Sequence, residues 1–161
     1  MPYGTQRNTG EERLALTFDL PPLWLALFVG VVWLMAQALA VSVFGALGDA
    51  LAGGLLLAGL GLMAMALREM AKVKTTVVPH RQASHLVTTG IFRLTRNPIY
   101  LGDTAVLLAA ILWWDVPLAL PLVPLFMLVV RERFIRDEEA RLRAAFCAEF
   151  EEWSTRVRRW L

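Results

Sequence analysis

Four apolar stretches dominate the pattern of hydrophobic and polar positions along the chain. They cover residues 22–47, 50–67, 99–114 and 116–130, and Asp103 is the only charged residue inside them. A helix of about 20 apolar residues crosses the hydrocarbon core of a bilayer. The pattern therefore predicts an all-α integral membrane protein with about four transmembrane helices. The third and fourth stretches are shorter, so a re-entrant hairpin of two buried helices is the alternative for them.

The polar character of the chain changes after residue 130. The apolar residues there recur at intervals of three, four or seven: Ile135, Leu142, Phe146, Phe150, Trp153, Val157 and Trp160. This spacing is typical of an amphipathic helix. We expect a cytoplasmic C-terminal helix over residues 131–158, lying on the membrane surface or against the bundle. Together with the loop 68–98 it completes one domain, residues 1–161.

Small residues recur along the second stretch. Ala50, Gly54, Ala58 and Ala66 follow one another at multiples of four residues, and Gly53, Gly59 and Gly61 lie among them. Small side chains let helices approach closely in a membrane, where packing replaces the hydrophobic effect as the driving force. The stretch is therefore expected to carry a packing seam.

The composition excludes several classes of protein. Hydrophobic residues make up 57% of the chain and charged residues 19%, against about 45–50% and about 25% in soluble domains. Disorder and disulfide-rich scaffolds do not have such a composition. Cys147 is the only cysteine, so an internal disulfide and a thiolate zinc site are excluded, and we expect no metal.

The basic residues predict the orientation in the membrane. All 16 Lys and Arg residues precede the first stretch, lie between the second and third, or follow the fourth. Basic segments stay on the cytoplasmic side. Both termini and the loop 68–98 are therefore expected to be cytoplasmic. The Ala-, Leu- and Arg-rich composition favours a bacterial inner membrane.

Two polar segments are candidates for chemistry. In the first, Asn97 and Pro98 are typical of a helix start, with Arg93 and Arg96 just before it. Unpaired backbone N–H groups at a helix start, together with arginines, form an anion site. The alternative is a capped helix with flanking arginines. The second segment is the acidic run 137–139, which is either a solvated face or part of a site.

These segments resemble the signature of the isoprenylcysteine carboxyl methyltransferase and phospholipid methyltransferase family. Residues 86–102 read LVTTGIFRLTRNPIYLG, and the family pattern is Leu-Val-x-x-Gly-x-Tyr-x-x-x-Arg-His-Pro-x-Tyr-x-Gly. Downstream, Glu138 and Glu139 with Leu142 and Phe146 are similar to the family's second motif. The resemblance covers about residues 77–161. In this chain Asn97 replaces a family histidine, Cys147 replaces a glycine, and Phe92, Phe150 and Trp153 replace tyrosines.

The resemblance implies an S-adenosylmethionine-dependent methyltransferase, with its cofactor at the cytoplasmic face. The cofactor-binding residues expected from it are His85, Leu86, Val87, Gly90, Arg96, Asn97, Pro98, Tyr100, Gly102, Glu138 and Glu139. The polar groups at the ends of the third and fourth stretches, Asp103, Arg131 and Glu132, are expected to contact the substrate. No catalytic base is identified.

The expected acceptor is lipophilic: a prenylcysteine-like carboxylate, a phospholipid amine or a smaller lipophilic molecule. Its methylation is expected at the cytoplasmic membrane face, with membrane lipids as partners and no nucleic acid. The alternative function is a non-catalytic membrane module that binds anionic lipid headgroups through the basic loop. The sequence makes no prediction of the oligomeric state.

Overall fold

The chain folds into helices over the residues that the computed structural model describes, which are 20–39, 42–73 and 85–161. The helices are α1 (Pro21–Ala38), α2 (Gly45–Lys72), α3 (Pro98–Trp113), α4 (Leu122–Val130) and α5 (Arg136–Arg156). Short 3₁₀ turns at Gly90–Arg93 and Pro117–Ala119 precede α3 and α4, and a π-helical turn at Arg131–Ile135 joins α4 to α5. The expected all-α class is confirmed for these residues.

Two helices, α1 and α2, are long and apolar enough to cross a membrane. Only 17% of the residues in the apolar part of each helix are buried, whereas the core helix of a soluble protein is mostly buried. Large side chains such as Leu34 on α1 and Leu57 on α2 are exposed. An apolar surface of this extent is typical of a helix that faces lipid.

Two of the four predicted spans form helices of this length in the described residues, and full crossing by the third and fourth stretches stays a prediction. Helix α3 has 16 residues, which corresponds to a length of about 24 Å. The fourth stretch begins with the 3₁₀ turn Pro117–Ala119 rather than with an α-helix, and α4 itself starts only after Pro121. Proline lacks a backbone N–H donor, so the prolines shorten this helix.

The first apolar stretch does not form one helix, because α1 ends at Ala38 and α2 begins at Gly45. The backbone N–H groups of Val43, Phe44 and Gly45 donate to the carboxylate of Asp115 at distances of 2.9–3.3 Å. These bonds, first among them that of Phe44, hold the pKa of Asp115 below its ordinary value. A side chain from the turn after α3 therefore satisfies the unpaired N–H groups at the start of α2.

Helices α2 and α3 touch through their backbones. A Cβ atom on Gly102 would lie 2.7 Å from the carbonyl oxygen of Gly59, and one on Gly59 would lie 2.8 Å from that of Gly102. Ala52 and Ala66, seven residues on either side of Gly59, are also buried. The packing seam of α2 therefore follows a seven-residue spacing. The predicted four-residue series is wrong for Ala50, Gly54 and Ala58, which are exposed.

Two apolar cores hold the helices together. The first joins α1, α3, α4 and the π turn through residues such as Phe28, Leu107 and Phe126. The second joins the end of α2, the segment before α3 and the C-terminal helix through Ala66, Phe92, Phe150, Trp153 and Val157. The apolar stripe of α5 thus packs against the rest of the protein. A kink interrupts α5 at Cys147, whose φ of 36° belongs to a conformation that glycine adopts more readily.

Candidate functional site

The start of α3 is held by the last residues of the chain. Pro98 is the first residue of α3 and Asn97 occupies the N-cap position, as expected, but the Asn97 side chain makes no capping hydrogen bond. Its Nδ2 instead donates to the carbonyl oxygen of Arg159 at 2.9 Å. Thr95 Oγ1 donates to the same oxygen at 3.2 Å. The C-terminal segment therefore fixes this helix start, which nothing in the sequence pattern indicated.

Glu139 lies between two arginines. Arg159 Nε donates to Oε1 at 3.0 Å and Arg159 Nη2 donates to Oε2 at 2.6 Å. Arg96 Nη1 lies 3.5 Å from Oε1. Glu139 is only 8% exposed, and its hydrogen bond to Arg159 raises the pKa of that arginine. The two predicted residues Arg96 and Glu139 are thus in contact, and Arg159 engages both carboxylate oxygens.

Arg96 is incompletely paired. Its Nε is buried and has no hydrogen-bond partner among the described residues. The 3.5 Å separation from Glu139 exceeds the usual 2.7–3.2 Å of a hydrogen bond. Burial lowers the pKa of Arg96, while the carboxylate of Glu139 acts against this shift. Arg96 and Arg159 face the carboxylate of Glu139, so these three side chains have one positive charge in excess, which favours an anionic ligand. The Glu132 carboxylate also acts on Arg159.

Glu138 has different surroundings from its neighbour. Its Oε2 accepts a long hydrogen bond of 3.4 Å from the hydroxyl of Tyr100, and no ion pair to it is found among the described residues. The ring of Tyr100 is stacked against Phe134, with ring centroids 6.4 Å apart. Burial raises the pKa of Glu138, although its side chain is partly exposed. Glu138 is therefore a carboxylate in a protein-lined crevice, available to a cationic or hydroxyl group.

The segment before Gly90 forms one wall of a pocket. Leu86 and Val87 pack against the second apolar core, and His85 is exposed. The pocket has a volume of about 450 Å³ and is lined by Thr88, Thr89, Arg93, Trp153, Arg156 and Val157. The indole N–H of Trp153 donates to the carbonyl oxygen of Phe92 at 3.1 Å and holds the two walls together. The predicted residues Leu86 and Val87 do not line this pocket, but they pack in the same apolar core as its lining residues Trp153 and Val157.

Glu69 of α2 occupies the space beside Gly90. Gly90 has a φ of +57°, and a Cβ atom on it would lie 2.6 Å from Cδ of Glu69. Thr89 Oγ1 donates to Glu69 at 2.9 Å, and Lys72 forms an ion pair with it at 2.5 Å. The glycine therefore allows a close approach, and in the described residues the approaching group is the Glu69 side chain.

Four further predicted residues make no hydrogen bond or ion pair with Arg96, Glu138 or Glu139 in the described residues: Gly102, Asp103, Arg131 and Glu132. Gly102 faces the backbone of α2, so helix packing accounts for this glycine. Glu132 is exposed and pairs with Arg131 at 2.7 Å and with Arg136 at 2.5 Å. Asp103 is buried within α3 at 6% exposure. No hydrogen bond or ion pair joins Asp103 to Arg131 or Glu132 in the part of the chain that the structure describes.

Sequence reasoning missed Arg159, Glu69 and Phe134. Arg159 lies beyond the second motif, in a run of basic residues that predicted only topology. Glu69 is the single acid within the basic loop 68–98, which is the one signal that could have marked it. Phe134 lies one residue before the apolar stripe and follows no pattern.

The described residues form a helical protein with two helices apolar enough to span a membrane. Its polar cluster, Arg96, Glu138, Glu139 and Arg159, connects the start of α3 to the start of α5. Its described residues contain no group of three or more His, Cys, Asp or Glu residues that could hold a metal ion. Arg96 offers a positive group and Glu138 a negative one, so the cluster is suited to an organic ligand with both negative and positive groups.

The phospholipid methyltransferase family model matches residues 47–149, well over half of the chain. The chain belongs to this family, which confirms the resemblance of its two motifs. The family implies methyltransferase activity, and its methyltransferases use S-adenosylmethionine as the methyl donor. Comparisons with curated proteins and with solved structures gave no match.

Proposed function

We propose that this protein transfers a methyl group from S-adenosylmethionine to a lipophilic acceptor at the cytoplasmic membrane face. The observation that carries the proposal is the buried and unpaired Nε of Arg96. It lies at the start of α3, in the motif that the chain shares with the family.

The residues of the cluster fit the charged groups of the methyl donor. Its carboxylate suits the excess positive charge at Arg96, since charge-assisted hydrogen bonds to guanidinium groups are strong. Its ammonium group or ribose hydroxyls suit Glu138, which forms no ion pair in the described residues although the charge of Arg141 acts on it. The pocket lined by Thr88, Thr89, Arg93 and Trp153 is proposed to take the rest of the donor molecule.

The donor supplies an activated methyl group, and the residues of this chain supply binding and position. Methyl transfer requires the acceptor atom about 3–3.5 Å from the methyl carbon, so holding the donor in place supplies much of the rate. Arg96, just before α3, contacts Glu139 of α5, which is the neighbour of Glu138 in the chain. Arg96 and Glu138 are therefore proposed to hold the donor at two points. The rings of Tyr100 and Phe134 are stacked and belong to the first apolar core. They are proposed to keep water away from the donor where the site borders this core.

The acceptor is proposed to reach the site from the bilayer, near the start of α3. Asp103 is buried one turn after Tyr100, and Arg131 and Glu132 lie at the end of α4. A lipid headgroup at this interface would meet polar groups while its tails stay in the membrane. Acceptors with shortened tails are therefore expected to lose turnover while donor affinity is unchanged. Equal turnover of a fully water-soluble acceptor would contradict lateral access.

Methyl transfer can be tested with the purified protein in lipid nanodiscs. The protein is incubated with S-adenosylmethionine labelled in its methyl group and with a membrane lipid extract, and the labelled product is identified. We expect label in a lipid fraction, with the same yield for the control variant Asp137→Asn, because Asp137 is exposed. Lipid binding without transfer to any acceptor would favour the non-catalytic headgroup-binding module and overturn the proposal.

A further inference from the structure

The C-terminal segment after α5 lies across the candidate site. Helix α5 ends at Arg156, and Val157 adopts an extended conformation that turns the chain toward α3. The carbonyl oxygen of Arg158 accepts a hydrogen bond of 2.9 Å from the backbone N–H of Arg96. The carbonyl of Arg159 accepts the two bonds from Thr95 and Asn97 described above. This segment lies beyond residue 149, where the family match ends.

The Arg159 side chain engages Glu139 more completely than Arg96 does. Arg159 makes two hydrogen bonds to the two carboxylate oxygens, at 3.0 and 2.6 Å. Arg96 approaches one of those oxygens only to 3.5 Å. A bidentate ion pair of this kind, with two parallel N–H···O bonds, is a strong arrangement between arginine and a carboxylate. Arg159 thus neutralises Glu139, and Arg96 keeps an unpaired Nε beside it.

We infer that Arg159 is a positioning residue that keeps Arg96 free for the anionic group of the methyl donor. The inference rests on the proposed function. Without the Arg159 charge, Glu139 would have Arg96 as its nearest cation, and attraction between charges is strong in a partly buried site. Arg96 would then close onto Glu139 and lose its capacity for another anion. Glu139 in turn acts as the competitor for Arg96 and does not contact the donor directly.

A pair of substitutions tests this relation through the affinity for S-adenosylhomocysteine, measured by calorimetric titration. Arg159→Gln is expected to weaken binding at least fivefold. Adding Glu139→Gln to that variant is expected to restore the affinity to within twofold of the parent, because the competing carboxylate is gone. A direct contact between Arg159 and the ligand predicts no such recovery. The inference is overturned if Arg159→Gln binds like the parent. It is also overturned if Arg159→Gln binds more weakly and the double variant does not regain affinity.

Two additional variants keep the test decisive if Arg159→Gln does not fold. Glu139→Gln alone is expected to bind within twofold of the parent or more tightly, and a tenfold loss would contradict the inference. Arg159→Lys keeps the neutralising charge and is expected to bind within threefold of the parent. Arg158→Gln is the matched control, because it removes the same charge from an exposed neighbouring side chain.

Kinetics separate positioning from general stability. In Arg159→Gln the KM for S-adenosylmethionine is expected to rise at least fivefold while kcat stays within twofold of the parent. A lower kcat together with a lower unfolding midpoint, at an unchanged KM, would indicate that Arg159 has a structural role only. If the parent itself does not bind S-adenosylhomocysteine, the proposed function fails. If the parent binds but the double variant does not recover, only the role of Arg159 fails.

Discussion

At the scale of single residues, the adjacent Glu138 and Glu139 have carboxylates with different neighbours. Glu139 is neutralised by Arg159 and contacted by Arg96. Glu138 accepts a hydrogen bond from the Tyr100 hydroxyl, and the positive charge of Arg141 also acts on it. Successive residues of a helix point about 100° apart, so the two carboxylates face different partners. The sequence could indicate that only one of them makes the main ligand contact, and the geometry favours Glu138.

The raised pKa of Glu138 predicts a dependence of stability on pH. Burial makes ionisation of Glu138 more costly in the folded state, so its pKa lies above its ordinary value of 4.5. Its contribution to stability is therefore full below pH 4.5 and is lost as the pH rises through the raised pKa. Without ligand, Glu138→Gln should therefore have a higher unfolding midpoint than the parent at neutral pH.

This prediction is checked by thermal unfolding in detergent between pH 4 and pH 8, with Asp137→Asn as the control. The difference between Glu138→Gln and the parent should grow as the pH rises, and that between Asp137→Asn and the parent should not. Parallel curves for Glu138→Gln and the parent would contradict the assignment of Glu138 to a crevice.

At the scale of elements, local signals predicted the helices and long-range contacts decided their ends. Pro98 and Asn97 correctly marked the start of α3, because proline at the first helical position is a local preference. The break between α1 and α2 depends on Asp115, about 70 residues away from its partners along the chain. The contact of Asn97 with Arg159 spans 62 residues. No periodicity in the sequence carries such information.

Gly102 shows why a glycine in a motif cannot be given a single role from the sequence. A glycine in a binding motif is compatible both with an approaching ligand and with an approaching helix. The structure places the backbone of α2 against it, and the packing seam on α2 could not be aligned with α3 from the sequence alone. The described geometry therefore assigns Gly102 to the scaffold, and contact with the cofactor stays a prediction.

Substitution of Gly102 tests the contact between α2 and α3. Gly102→Ala places a Cβ atom 2.7 Å from the Gly59 carbonyl oxygen, and such overpacking costs about 1–3 kcal/mol. Gly61→Ala is the control, since nothing lies within 4 Å of a Cβ atom there. The control should be neutral or stabilising by up to about 1 kcal/mol, because alanine favours helices. Equal unfolding midpoints for both variants would contradict the contact.

At the scale of the whole molecule, the apolar exterior and the polar site occupy different parts of the fold. Helices α1 and α2 supply the apolar surface, whereas α5 and the segment before α3 supply most of the charged residues of the site. The predicted cytoplasmic position of the site follows from the distribution of lysine and arginine along the chain. The loop ahead of residue 85 lies outside the described residues, so its orientation stays a prediction.

Cysteine labelling tests the orientation in intact cells, in a background with Cys147→Ser. Asp49→Cys should react with a membrane-impermeant thiol reagent, since the start of α2 is expected on the outer side. Ser154→Cys at the end of α5 should be protected, as should Gln82→Cys and Thr5→Cys, which lie outside the described residues. Labelling of Ser154→Cys with protection of Asp49→Cys would show the opposite orientation and contradict the prediction.

The central claim is that the methyl donor binds where the starts of α3 and α5 meet. The most direct measurement is a calorimetric titration of S-adenosylhomocysteine into the parent, Glu138→Gln and Asp137→Asn. Loss of a hydrogen bond to a charged group predicts at least tenfold weaker binding for Glu138→Gln, equivalent to about 1.4 kcal/mol. Asp137→Asn should bind like the parent. If Glu138→Gln also binds like the parent, the donor site lies elsewhere and the account is contradicted.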